Sequence, residues 1–177
     1  YANPDLYRTL SETQTREWQT LAARDAGVSA ISAWSVEEIA FPASPARAAM
    51  TRAYAPIMTF DLSANTGVFA GKVVERTLSV INDTSVARRL DLTWQLTAAD
   101  GTWTLKGGQP LQLAPSSRVH VPITLSLPPG CQERTTATLL LTLCESGRLV
   151  FTKTTTWDVF GEAPLRAADV VASFGQL

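Results

Sequence analysis

The sequence is poor in reactive side chains: two cysteines and one histidine in 177 residues, with 15 lysines and arginines balanced by 16 aspartates and glutamates to a formal net charge of −1. Each scarcity removes a class of function. One histidine and two cysteines, Cys131 and Cys144, with no CxxC pair give no zinc-ligand spacing. The even charge leaves no basic stripe for a phosphate backbone or an anionic membrane, so nucleic acid is not an expected partner. No apolar run approaches the ~20 residues of a membrane span. The N-terminal YANPDLYRTL has neither the basic nor the apolar region of a signal peptide. A Gly-rich phosphate loop, HExxH and GxSxG are all missing, and no cofactor or metal is expected. The start at Tyr1 rather than Met, and the end at Leu177 just past ADVVASF, suggest a chain cut from a longer one.

What is present suits a globular protein able to bury a core, with 45% hydrophobic and 18% charged residues. Residues 6–26 hold no Pro or Gly and place Leu6, Leu10, Trp18, Leu21 and Ala22 near one helical face, with Gly27 as the stop. VSAISAW comes next, short and branched enough for a buried strand. Ser44 and Pro45 then offer the cap and first position of a second helix ending before Pro56. Helix, buried strand and helix resemble the tail of an α/β unit.

From Pro56 the period changes to two. Leu90, Leu92, Trp94 and Leu96 alternate with Asp91, Thr93 and Gln95, and Val119, Val121, Ile123, Leu125 and Leu127 alternate with polar residues in the same way. Turn signals such as Asn82-Asp83, Asp100-Gly101, Pro129-Gly130 and Ser146-Gly147 separate the runs. Seven strands are predicted, near 56–63, 73–82, 88–98, 102–113 (broken at Gly107-Gly108), 118–127, 136–144 and 148–160. The spacing fits a mainly β chain carrying a seven-stranded antiparallel immunoglobulin-like sandwich. Its subtype is fibronectin-III-like or cell-adhesion-like, because Cys144 falls at a strand end about 25 Å from Cys131 at ~3.3 Å per residue, leaving both as free thiols and the redox compartment open.

Two segments carry a resemblance. VSAISAW, a polar loop, then MTRAYAPI leading into SVINDTSVARRLDLTWQL, resembles the junction in multidomain glycoside hydrolases of the β-galactosidase-like kind, where a (β/α)8 barrel hands over to an immunoglobulin-like domain. The resemblance implies that residues 1–55 are the end of the barrel, with 6–26 its seventh helix, 28–34 its eighth strand and 45–54 part of its eighth helix. Residues 56–160 are then the sandwich and 161–177 a linker to a following domain. It also implies that the catalytic acid and nucleophile end the fourth and seventh barrel strands, upstream of Tyr1.

Candidate site residues come from both lines. Trp34 ends the implied eighth strand, where barrel active sites gather, and is the candidate substrate-binding residue as a platform for a sugar ring. The other reading makes it packed apolar surface at a junction. Glu37 and Glu38 are the only adjacent carboxylates, but neighbours in sequence rarely converge as a glycosidase pair must. His120 sits on a polar strand face with no partner suggested by the pattern, so it reads as solvated. Trp94 belongs to the core by parity, Trp103 comes just after a turn, and Trp157 is ambiguous. The three form a sugar-binding stripe only if they share an exposed face.

The expected function is a non-catalytic accessory module of a glycoside hydrolase, inactive alone. The alternative is an independent glycan- or protein-binding module at a cell surface. Expected partners are the catalytic barrel of the same parent, carbohydrate, and a second copy through residues 1–55. A strand such as VSAISAW needs cover. Residues 1–55 are therefore expected to pack on the sandwich or a partner through Trp18, Leu21, Ile31 and Trp34, or else to be mobile.

Overall fold

A computed structural model describes residues 4–28, 45–63, 65–130 and 134–161. Helix α1 (Pro4–Asp25) begins with Pro at a first-turn position, where a missing N–H costs nothing. It closes in a Schellman motif: Gly27, at φ 81°, donates its N–H to Arg24 O (3.0 Å), and Val28 reaches Ala23 O (2.9 Å). Helix α2 (Pro45–Ala53) also opens on Pro and packs against α1, with Ala49, Met50 and Ala53 buried. The Thr20 hydroxyl bonds the Met50 sulfur at 3.4 Å. Ser44, the predicted cap, lies outside the described residues.

The rest is strand: β1 (Ile57–Asp61), β2 (Gly67–Phe69), β3 (Val73–Asn82), β4 (Arg88–Ala98), β5 (Thr104–Leu113), β6 (Ser117–Ser126), β7 (Arg134–Glu145) and β8 (Arg148–Phe160). They form a three-stranded sheet in the order β1-β3-β6 and a five-stranded sheet in the order β2-β8-β7-β4-β5. One core lies between them. The three-stranded sheet contributes Leu78, Val80, Val121, Ile123 and Leu125, and the other contributes Leu90, Leu92, Leu96, Leu139, Leu141, Leu143 and Trp157. Alternation decides the inward set, since successive residues of a strand face opposite sides.

The structure corrects the strand reading at four points. There are eight strands among the described residues, not seven. The extra strand, β2, spans three residues, too short to show a period, and pairs parallel to β8 through Val68 and Val159. The predicted break at Gly107-Gly108 does not occur, because β5 runs through both glycines. They mark a close approach: a Cβ on Gly107 would lie 2.4 Å from the Trp94 ring, and one on Gly108 would lie 2.8 Å from Leu92 O. Trp94 has the predicted inward parity but is only half-buried against the core. Val119, predicted inward, is 37% exposed at the start of β6.

Asn82, fully buried, closes the turn between β3 and β4. Its Nδ2 donates to Val86 O (2.9 Å) and Ala114 O (2.8 Å), while its Oδ1 accepts from the Thr84 N–H and hydroxyl. A buried amide with all its groups used fixes where the two strands turn. Two edge strands, β5 and β6, each carry a mid-strand proline, Pro110 and Pro122. Proline is tolerated there because no further strand needs its missing N–H.

Part of the outer face of the three-stranded sheet, over β1 and β3, is covered as well. Every residue of β1 is buried, Ile57 in the inter-sheet core and Met58 and Phe60 beneath α1. Leu21, Ala53, Met58, Phe60 and Ile81 form a second apolar cluster. The expected packing of the N-terminal helix on the sandwich is thus present through Leu21, which is 1% exposed.

Candidate functional site

Trp34, Ile31, Glu37, Glu38 and Cys131 lie outside the described residues. Cys144 is a free, half-buried thiol at the end of β7. The three-tryptophan stripe does not form, because Trp157 is fully buried and Trp94 faces the core. Among the described residues no three His, Cys, Asp or Glu side chains gather as metal ligands. None of the helices described is long and apolar enough to cross a membrane.

The densest polar constellation is the joint between α1 and the three-stranded sheet. The last turn of α1 turns Leu21, Arg24 and Asp25 toward it. The Arg24 guanidinium, 7% exposed, donates to Ala53 O at the end of α2 and to Ala55 O just past it (2.9 Å), and pairs with Asp83 Oδ2 at 2.6 Å. It thus ties α1, the exit of α2 and the β3–β4 turn in one side chain, and a planar five-donor group suits three directions at once.

Beside it, Asp25 Oδ1 accepts from the Ser79 hydroxyl at 2.6 Å and stands 2.9 Å from His120 Nε2. Ser79 and His120 are register partners on the outer faces of β3 and β6, so the ladder itself brings them together. The reading of His120 as merely solvated is therefore corrected: it has a carboxylate partner. Burial pushes the Asp25 carboxyl up. The Ser79 bond, the His120 bond and charge, and Arg118 outweigh that and hold it below the ordinary aspartate range. Chemically the order matters. The carboxylate sits between hydroxyl and imidazole, so Ser79 donates to Asp25 and not to His120. This arrangement fastens two elements and leaves the serine unactivated, since a nucleophilic serine needs the imidazole as its base.

A second feature is a groove of about 680 Å³ walled by α1 (Gln14, Glu17, Trp18), the end of β1 (Asp61) and β8 (Lys153, Thr155). Lys153 Nζ reaches Glu17 Oε1 at 2.5 Å, and Arg52 stands 3.8 Å from the other Glu17 oxygen. Asp61 accepts from the Ser63 N–H at 2.9 Å and faces Arg76 Nε at 3.3 Å. Its carboxyl is raised above the ordinary value because burial outweighs the Ser63 bond and the Arg76 charge. Arg76 lies over the Trp157 ring, 4.8 Å from its centroid.

At another end of the sandwich, Trp103, Asp100, Thr102 and Arg134 line an open depression of about 570 Å³. Arg134 is already committed to Asp158 at 2.7 Å. The half-buried Trp103 packs against the core and leaves only part of its ring to the depression.

Sequence reasoning missed the joint because its members are far apart: Asp25 is 95 residues from His120 and 54 from Ser79. The only signal was the position of His120 and Ser79 at outward parity on two strands, which becomes a pairing once the register is known.

No protein-family model matches the sequence, and no curated protein compared with it matches either. Among solved structures, the chain is similar to a β-glucuronidase from glycoside hydrolase family 2, at 10% identity and TM-score 0.41 over 58% of this chain and 11% of that one. A β-glucosidase from Listeria innocua in complex with glucose is similar at 13% identity and TM-score 0.46, over 61% of this chain and 16% of that one. The CARDB domain of the PF1109 protein from Pyrococcus furiosus is similar at 12% identity and TM-score 0.45, over 60% of this chain and 92% of that one. The chain thus spans about a tenth of the β-glucuronidase and about a sixth of the β-glucosidase. Likenesses this distant speak loosely of a sandwich and carry nothing about activity.

Proposed function

We propose that this chain is a non-catalytic structural module of a carbohydrate-active enzyme: an immunoglobulin-like sandwich, residues 56–160, that seats the end of a catalytic barrel, residues 1–55, and spaces it, through residues 161–177, from a further domain. The strand order supports the immunoglobulin-like part, since first, third and sixth strands on one sheet face fourth, seventh and eighth on the other, as such sandwiches arrange theirs. The observation that carries the functional part is the joint. Part of the outward face of the three-stranded sheet, over β1 and β3, is covered by α1 through Leu21, Arg24 and Asp25, with apolar, ionic and hydrogen-bonded contacts at one place. A sheet face finished in this way is built to hold helical chain against it. The glycosidase assignment rests on the sequence resemblance at VSAISAW and MTRAYAPI.

The test is the reading frame upstream of Tyr1. Six further β/α units and a seventh strand, with carboxylates ending the fourth and seventh strands, are the expected finding. An unrelated frame overturns the proposal. The purified chain is also expected to leave aryl β-glycosides intact. Turnover by it that vanishes in Glu37→Gln or Glu38→Gln overturns the non-catalytic role.

A further inference from the structure

The groove between α1, β1 and β8 adjoins the joint at Leu21, and the chemistry of its other residues names a class of ligand. Each carboxylate in it already has a cation: Glu17 is held by Lys153 and Arg52, and Asp61 faces Arg76. A cation entering it would meet no unspent carboxylate. What remains is neutral. The Gln14 amide and the Thr66 and Thr155 hydroxyls line the groove with no hydrogen bond to any described residue. Trp18, the only tryptophan lining it among the described residues, is half-buried, with part of its ring open to the groove.

A flat apolar ring beside groups that both donate and accept suits a ligand with an apolar face and a rim of hydroxyls. A sugar ring has that form: its C–H face lies on an aromatic ring, and its hydroxyls exchange bonds with amides and alcohols. The groove volume of about 680 Å³ falls within the roughly 300–1,000 Å³ of small-molecule sites. We infer that this groove binds a neutral oligosaccharide, one ring stacked on Trp18 and its hydroxyls bonded to Gln14, Thr66 and Thr155. The site is made by α1, the end of α2, β1 with the loop after it, and β8. It therefore stands or falls apart from the structural role proposed above.

The experiment is a titration of the ¹⁵N-labelled full chain with cellotetraose, xylotetraose and β-1,4-galactotetraose, with tetragalacturonate as the acidic comparator. At least one neutral tetrasaccharide is expected to shift the Trp18 indole resonance saturably while the buried Trp157 resonance stays put. Trp18→Ala should weaken that binding by about tenfold or more, as loss of an aromatic platform does. Thr155→Val should weaken it severalfold, and Trp103→Ala should leave it unchanged. Circular dichroism reports whether each variant is folded. If Trp18→Ala is not, Thr155→Val and Gln14→Ala carry the decision. The inference is overturned if no neutral tetrasaccharide moves Trp18, if Trp103→Ala abolishes the binding, or if tetragalacturonate binds in preference. Failure of the structural role would show separately, as turnover by the chain or an unrelated upstream frame.

Discussion

Gly107 stands opposite Trp94 in the β4–β5 ladder, and the indole occupies the space a side chain would take. Gly107→Ala should therefore cost about 1–3 kcal/mol by overpacking. Trp94→Ala should cost about 2–3 kcal/mol, at or below the low end of aromatic truncations, because the ring is half-buried. Combined, the two should cost clearly less than their sum, since alanine at 94 removes the clash. Urea unfolding of the four proteins checks this, and additive losses would mean that the ring does not lie where described. Asp25 makes a prediction of a different kind. Its folded-state pKa is lowered, so its contribution is complete above the ordinary value and is lost as pH falls through the lower folded one. Asp61 has the opposite sign, its raised pKa favouring the folded chain as pH falls. Asp25→Asn should thus be less stable than the wild type at pH 7, with the gap narrowing below about pH 4 in denaturant midpoints. An unchanged gap would remove Asp25 from the joint.

At the scale of elements, α1 behaves as part of the sandwich. Leu21 is its deepest described anchor, so Leu21→Ala should cost about 2–5 kcal/mol and raise hydrogen exchange at Met58 and Phe60, the β1 residues beneath it. Exchange increases confined to α1 would show a helix that rests on the sheet without supporting it. Elements were also what the sequence conveyed best. β3 and β4 begin and end where alternation and turn residues place them, and the helix stop at Gly27 is a Schellman motif. The failures have local causes. β2 is too short to have a period, and the glycines of β5 read as a break because a glycine pair looks the same whether it makes a turn or clears space for a ring. Trp157 was ambiguous because the TKTTTW run offers no apolar alternation, yet its register partner Ala137 faces the core. The joint was illegible for another reason: one-dimensional pattern shows which face a residue takes but not what lies across from it.

For the whole molecule, the parallel pairing of β2 with β8 has a mechanical consequence. β2 lies near the entrance of the sandwich and β8 at its exit, side by side and pointing the same way, bonded from Asp158 N to Thr66 O (2.9 Å) and from Ala70 N to Phe160 O (2.8 Å). Tension applied between Pro56 and Gly161 would drag β2 backward and β8 forward along one another. Such a load strains these bonds together, whereas a hairpin pulled from its open end yields one bond at a time. A module set between a barrel and a following domain would then resist stretching along its own chain. Pulled at those two points in an optical trap, the chain should open in a single high-force event. Val68→Pro, which removes a β2 N–H, should lower that force far more than it lowers the urea midpoint.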